Sequence, residues 1–261
     1  SRSELLVQFA YFSANPNKIT MILIAVATSI GGVGIPLLTE NYVKGDFRSA
    51  ARLVQDNLSM LIFFILPATI GAVLVAEPLY TVFYGKPDGL ALGLFIFAML
   101  QTIILSLYTV LAPMIQALFQ NRKAIIYFLY GVGVKLVLQV PLIYIFKAYG
   151  PLLATTIGLI IPILLMYQEI RKVTGLNPKN LFKRSLLSVI LTVLMTIFVL
   201  VAELLIGLFL HPSGRISSFA YIALIGGIGL AVYGGLALKV RLMDRFIGSK
   251  AASLRRRFGI K

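Results

Sequence analysis

The sequence predicts an all-α, polytopic membrane bundle of seven transmembrane helices, and three observations lead there. Of its 261 residues, 59% are hydrophobic and 13% charged, with a mean hydropathy of +0.94. A water-soluble domain of this size could not cover that much apolar surface with so few charges. The apolar residues gather into seven continuous runs, each near the length of about 20 residues that a helix needs to cross hydrocarbon. The runs do not alternate, which argues against a barrel, and backbone groups inside lipid need partners within their own segment, which demands helices.

In chain order the runs are 18–38, 53–76, 90–116, 124–146, 151–170, 185–209 and 217–238. Pro67, Pro113, Pro141 and Pro162 fall inside them. Each removes a backbone hydrogen bond and is expected to bend its helix, as a wall that rocks between two states would require. Small residues four apart predict close packing faces: Ala27 with Gly31 and Thr28 with Gly32 in the first run, and Gly227, Ala231 and Gly235 in the last.

Lys and Arg alternate in density between successive loops. Lys44, Arg48 and Arg52 follow the first run, Arg122 and Lys123 the third, and Arg171, Lys172, Lys179, Lys183 and Arg184 the fifth. Eight more lie from Lys239 to the end, whereas the intervening loops hold only Lys86, Lys147 and Arg215. The richer side is predicted to be cytoplasmic, so the chain starts outside and ends inside. The formal net charge of +15 therefore reads as topology, not nucleic-acid binding, because the basic groups sit between apolar runs. There is no Cys, hence neither a disulfide framework nor a thiolate metal site.

The stretch from Ser29 to Asn57 is the most informative. An apolar run with Pro36 ends in a polar turn at Gly45-Asp46, and a basic amphipathic helix start follows, with Asp46 placed to cap it. Phe47, Ala50, Ala51 and Val54 share one face and Arg48 and Arg52 another, so the segment can lie along anionic headgroups before turning inward. This stretch, together with LPATIGAVLVAEPLYTVFYG (66–85) and LYTVLAPMIQALFQNRKA (107–124), resembles the second half of the MOP superfamily of transporters. Within that superfamily it is similar to MurJ-type lipid II flippases and the related polysaccharide flippases of Gram-positive bacteria. The likeness runs from about Asn15 to Met243.

The resemblance implies the last seven of fourteen helices. Residues 1–17 would be an external lead-in from a missing N-terminal lobe, 18–170 the helices of the second lobe, and 171–184 a basic cytoplasmic loop. Residues 185–238 would be two extra terminal helices and 239–261 a basic cytoplasmic tail. The chain opens on Ser without a signal pattern, in keeping with a piece of a longer protein.

Lys135 is the basic residue in the middle of a run, eleven residues from Ala124 and eleven from Phe146. A cation at that depth costs about 2.5–3.5 kcal/mol and is expected to face protein or a wet cavity. Gln139 lies one turn on and keeps the same face polar; the resemblance reads Lys135 as cavity lining. Lys18 opens the first run, near where MurJ-like proteins place a cavity Arg. As a point charge it grips a pyrophosphate less specifically than a guanidinium fork. Gln101, mid-run, can hydrogen-bond across helices, and with Lys135, Gln139 and Lys18 it makes up the expected substrate-binding set. Glu203 is the acid well inside a run and the candidate for ion coupling, although the resemblance places it beside lipid. His211 has no second His or Cys nearby and is not read as a ligand or catalyst.

With these residues, the resemblance implies a flippase of the cytoplasmic membrane for an anionic, undecaprenyl-linked saccharide, working by alternating access, with no cofactor and no covalent chemistry. Its partners would be that lipid-linked saccharide, the surrounding lipids and the chain's own N-terminal lobe, with no nucleic acid. A multidrug or cation antiporter of the same superfamily would favour acidic groups at depth. A membrane enzyme of envelope assembly would show polar groups in a large external loop, and a non-transporting assembly subunit is the third alternative.

Overall fold

The computed structural model describes residues 15–207 and 214–240, and among these there is helix and turn but no strand. The helices are α1 (Asn15–Val33), α2 (Ile35–Val43), α3 (Phe47–Leu74), α4 (Ala76–Tyr84), α5 (Gly89–Ala117), α6 (Asn121–Phe146), α7 (Gly150–Thr174), α8 (Pro178–Gly207) and α9 (Arg215–Lys239). A single 3-10 turn, Lys147–Tyr149, joins α6 to α7. Six helical runs are long and apolar enough to cross a membrane. One of them, Asn121–Thr174, holds both α6 and α7, so each of the seven predicted runs is carried by helix. His211, the lead-in before α1 and the basic tail beyond residue 240 lie outside the described residues.

Helices run unbroken through Pro67, Pro113, Pro141 and Pro162. The interruptions come instead just before Pro36 and Pro78: at Gly34, between α1 and α2, and at Val75, between α3 and α4. A proline offers no N–H to the carbonyl four residues back, and its ring crowds that carbonyl. The first run is therefore not one helix over 18–38 but two. A Cβ at Gly34 would lie 2.3 Å from Asn57 Nδ2, so a larger residue at this junction would have to push the Asn57 side chain aside.

The chain divides into two compact units, one comprising the residues up to Ile65 with Asp88–Arg184, the other Leu66–Pro87 with the residues from Ser185 onward. In the first unit α5 is the central element, packed on α1 and α7. A Cβ at Gly31 would lie 2.7 Å from Val110 Cγ2, which bears out the predicted Ala27–Gly31 packing face, whereas Thr28 and Gly32 are exposed. The core of this unit joins Leu38, Leu58, Leu61, Val110, Leu118, Met166 and Leu176. It thereby draws the turns at 44–46, 118–120 and 175–177 to one end, while Tyr149 meets Phe97 of α5 at 6.2 Å near the other. The helices thus cross in alternating directions, as the loop charges require.

Asp46 caps α3 as predicted, its Oδ1 accepting from Ser49 N–H at 3.0 Å. Hydrogen bonding to Ser49 holds its carboxyl below the ordinary 3.8. Ala50 and Val54 are buried beneath it, but Phe47 is exposed, its ring set edge-on to Tyr42 at 5.6 Å. In the second unit α9 packs on α4 and α8 through a different stripe from the predicted one. Gly227 and Ala231 are exposed, and a Cβ at Gly227 or Gly235 would meet nothing. Ile225, Gly229, Tyr233 and Ala237 are buried instead. A Cβ at Gly229 would sit 3.4 Å from Val199, and the Tyr233 hydroxyl hydrogen-bonds Ser188 and Thr192.

Candidate substrate site

The α6–α7 pair is built around two glycines. A Cβ at Gly131 would lie 2.4 Å from the Gly158 carbonyl oxygen and 2.8 Å from Pro162 Cδ. A Cβ at Gly158 would lie 2.8 Å from the Gly131 carbonyl oxygen and 2.8 Å from Lys135 Cβ. The two backbones touch because neither residue has a side chain, and Lys135 is held directly over Gly158. Beside this contact a cleft of about 160 Å³ is lined by Phe128, Val132, Lys135, Thr155, Leu159 and Pro162 together with the glycines. Its wall is almost wholly apolar, and the one hydroxyl in the lining, Thr155 Oγ1, already donates to the Pro151 carbonyl at 2.8 Å.

Lys135 is half-buried and makes no hydrogen bond or ion pair with any described residue. Gln139, a turn further along α6, is likewise half-buried and without a partner among them. Together they leave several donors facing no acceptor at mid-helix, where water is scarce and an unmet charge is costly. Such a place suits an anion that arrives and departs.

The other predicted residues are placed differently. Gln101 is buried in α5, and its Nε2 donates to the Leu152 carbonyl at 2.9 Å and to Thr156 Oγ1 at 3.0 Å. Its amide is engaged in holding α5 to α7. Lys18 is exposed in the first turn of α1. The exposed surface of α1–α2 is mixed: Ala25, Ser29, Gly32, Pro36 and Glu40 are small or polar, and Met21, Ile22, Val26, Val33 and Leu37 among them are apolar. The Thr28 and Ser29 hydroxyls donate to the Ala25 carbonyl at 3.0 and 2.8 Å, so both are satisfied within the helix. α6 exposes Leu129, Leu136, Val137, Val140 and Tyr144, a bulky apolar surface suited to lipid. In the second unit Glu203 is half-buried on α8, close to Tyr221 and with no hydrogen bond or ion pair among the described residues.

Residues 14–224 match the family model described as lipid II flippase MurJ. The chain belongs to the MurJ family. A curated relative, the lipid II flippase MurJ of Bacillus subtilis (strain 168), is 29% identical over 237 residues, covering 89% of this chain and 44% of that protein. A solved structure titled lipid II flippase MurJ, inward closed conformation, superposes with a TM-score of 0.69 at 16% identity, over 92% of this chain and 48% of that one. The MurJ fold is thus shared, and the chain spans about half the length of the relatives it matches.

Two interhelical ion pairs escaped the sequence reading. Lys123 Nζ reaches Glu169 Oε1 at 2.6 Å, and Tyr127 donates to Glu169 Oε2 at 3.4 Å, pinning the start of α6 to the end of α7. Arg184 of α8 pairs with Asp56 of α3. Glu169 and Asp56 are acids near the ends of apolar runs. That is the signal that marks them, but no spacing rule names a partner 46 or 128 residues away.

Proposed function

We propose that this chain is the second half of a flippase that carries an undecaprenyl-pyrophosphate-linked saccharide across the bacterial cytoplasmic membrane by alternating access. The observation that carries the proposal is the unpartnered Lys135 ammonium at mid-helix in a MurJ-family fold. Lys135 is the landing point for the phosphate and Gln139 an adjacent donor. Lys18, with Ala25, Ser29 and Gly32 of α1, lines the headgroup's path, and Gln101 fixes α5 to α7 beside it. Positive charge offsets the cost of moving an anion through low dielectric. The prenyl tail stays in lipid, and Glu203 is left as a weak candidate for ion coupling.

The basic turns at 44–46, 118–120 and 175–177 face the cytoplasm in this reading, as does the C-terminus. No bond is made or broken, so the activity is transport and not enzymatic catalysis, and it needs no cofactor. An antiporter of the same superfamily is less favoured because the charge at the middle of α6, Lys135, is a cation.

Reconstituted full-length transporter should expose labelled lipid-linked saccharide to an external headgroup-modifying reagent. Lys135→Gln should lower that rate at least about tenfold with normal membrane levels, and an unchanged rate removes Lys135 from the mechanism. Single cysteines in this Cys-free half, Ser49→Cys and Ser213→Cys, should label from the cytoplasm and the exterior respectively. The opposite pattern reverses the topology.

A further inference from the structure

The turn after α5 carries a residue that backbone geometry disfavours. The Phe119 N–H donates to the Gln116 carbonyl at 2.9 Å and the Gln120 N–H to the Ile115 carbonyl at 3.2 Å, a Schellman closure. Phe119 therefore sits at φ +60°, in the left-handed region. The same closure after α2 places Gly45 at φ +77°, and α7 ends on Gly175 at φ +69°. Glycine takes this conformation freely and a bulky aromatic does not. Three turns at one end of the unit thus each place a residue in the left-handed region, two by Schellman closures and the third by a single bond from Gly175 N–H to the Arg171 carbonyl, and one of them keeps a strained phenylalanine.

The ring explains what the backbone does not. Phe119 is 62% exposed, stacked at 6.3 Å on Tyr42, which also meets the 49%-exposed Phe47. Val43 beside them is 68% exposed. Arg48 and Arg52, one turn apart on α3, and Arg122 at the start of α6 are exposed near these rings in sequence and hold no ion pair among the described residues. Lys44, by contrast, is taken up by Glu40. Exposed rings at the ends of membrane helices, followed along the chain by guanidinium groups with no ion pair among the described residues, match the headgroup layer: apolar bodies just below the phosphates, planar donors at their level.

We propose that Phe119 and Phe47, with Arg48, Arg52 and Arg122, form a binding site for the phosphate headgroups of anionic phospholipids. Assigning it to the cytoplasmic leaflet rests on the orientation proposed above; the binding itself does not. The site holds α3, α5 and α6 at a set depth and keeps anionic lipid at this end of the bundle. Its occupant is bulk phospholipid, not the lipid-linked cargo, because the site lies at the helix ends and not at mid-span.

The test uses full-length transporter with Phe119→Trp in a background without other tryptophans, in vesicles of equal phosphatidylglycerol and phosphatidylcholine. One of the two lipids is brominated in both leaflets, so neither orientation nor transport enters the readout. Brominated phosphatidylglycerol should quench with an apparent preference of at least about fivefold over brominated phosphatidylcholine, roughly what one surface arginine confers. Combining Arg48→Gln, Arg52→Gln and Arg122→Gln should abolish the preference. Equal quenching by both lipids, a preference that survives the triple change, or no quenching at all would overturn the proposal. So would relief of quenching by farnesyl pyrophosphate with none by inorganic pyrophosphate, which would make this a cargo site. Phe119→Gly, which relieves the backbone, should melt no lower than the parent yet retain less phosphatidylglycerol on native mass spectrometry; unchanged retention would count against the ring.

Discussion

The helix pairs α6–α7 and α8–α9 are both apolar antiparallel neighbours, yet they treat polar groups in opposite ways. Where α9 meets α8, the buried polar atoms answer one another: Tyr233 finds Ser188 and Thr192. Where α6 meets α7, Gly131 and Gly158 bring the backbones together, Glu169 takes Lys123 at one end, and Lys135 has no partner among the described residues. The comparison separates two uses of polarity inside a membrane. A side chain whose donors are met holds helices together, and one whose donors are unmet within its own bundle is the one proposed above to receive a ligand. Gln101 and Lys135, both singled out as mid-run polar residues, fall on opposite sides of that line.

The strongest way to break the comparison is at Lys135. Lys135→Ala should abolish complementation by the full-length protein while thermal stability holds or rises, since an unpaired cation contributes no native bond. A drop in melting temperature with activity preserved would make it a structural residue. Next come the glycines. Gly131→Ala forces a methyl against the Gly158 carbonyl and should destabilise by about 1–3 kcal/mol. Gly227→Ala meets open space and should be neutral or gain up to about 1 kcal/mol of helix propensity. Thermal unfolding in detergent ranks the two, and equal losses would restore the 227/231/235 stripe as a packing face.

Smaller effects sharpen the picture. Glu169→Gln should cost about 1 kcal/mol, limited because the Lys123 side chain is 43% exposed and water screens the pair. Gln101→Leu should cost about 0.6 kcal/mol, the average for a hydrogen bond between membrane helices, and leave transport per folded molecule unchanged. The smallest concerns Asp46. Its folded pKa lies below the unfolded value of 3.8, so its stabilisation is complete above 3.8 and disappears as pH falls through the lower folded value. Asp46→Asn should keep the cap and remove that pH dependence, read from melting temperatures between neutral pH and pH 3.

Helix existence was legible because apolar run length is a local property that lipid converts directly into backbone hydrogen bonding. The cap at Asp46 and the Ala27–Gly31 face were legible for the same reason: each depends on residues within one turn. The choice between Gly227 and Gly229 was not, because a small residue shows only that a close approach is permitted, not which neighbour makes it. The breaks at Gly34 and Val75 were written in Pro36 and Pro78, which stand at the edges of their apolar runs, whereas the mid-run prolines are carried by unbroken helix. Lys135 stood out by its depth. Its lack of a partner, and the engagement of Gln101, needed the third dimension.

The junction at Gly34 has a mechanical consequence. A membrane crossing made of two rods has one place at which its angle is set, and the side chain beside that elbow, Asn57, keeps an amide nitrogen buried with no acceptor among the described residues. Any change of angle between α2 and α1 would alter what that nitrogen meets, so Asn57 is the residue at which such a change would be felt.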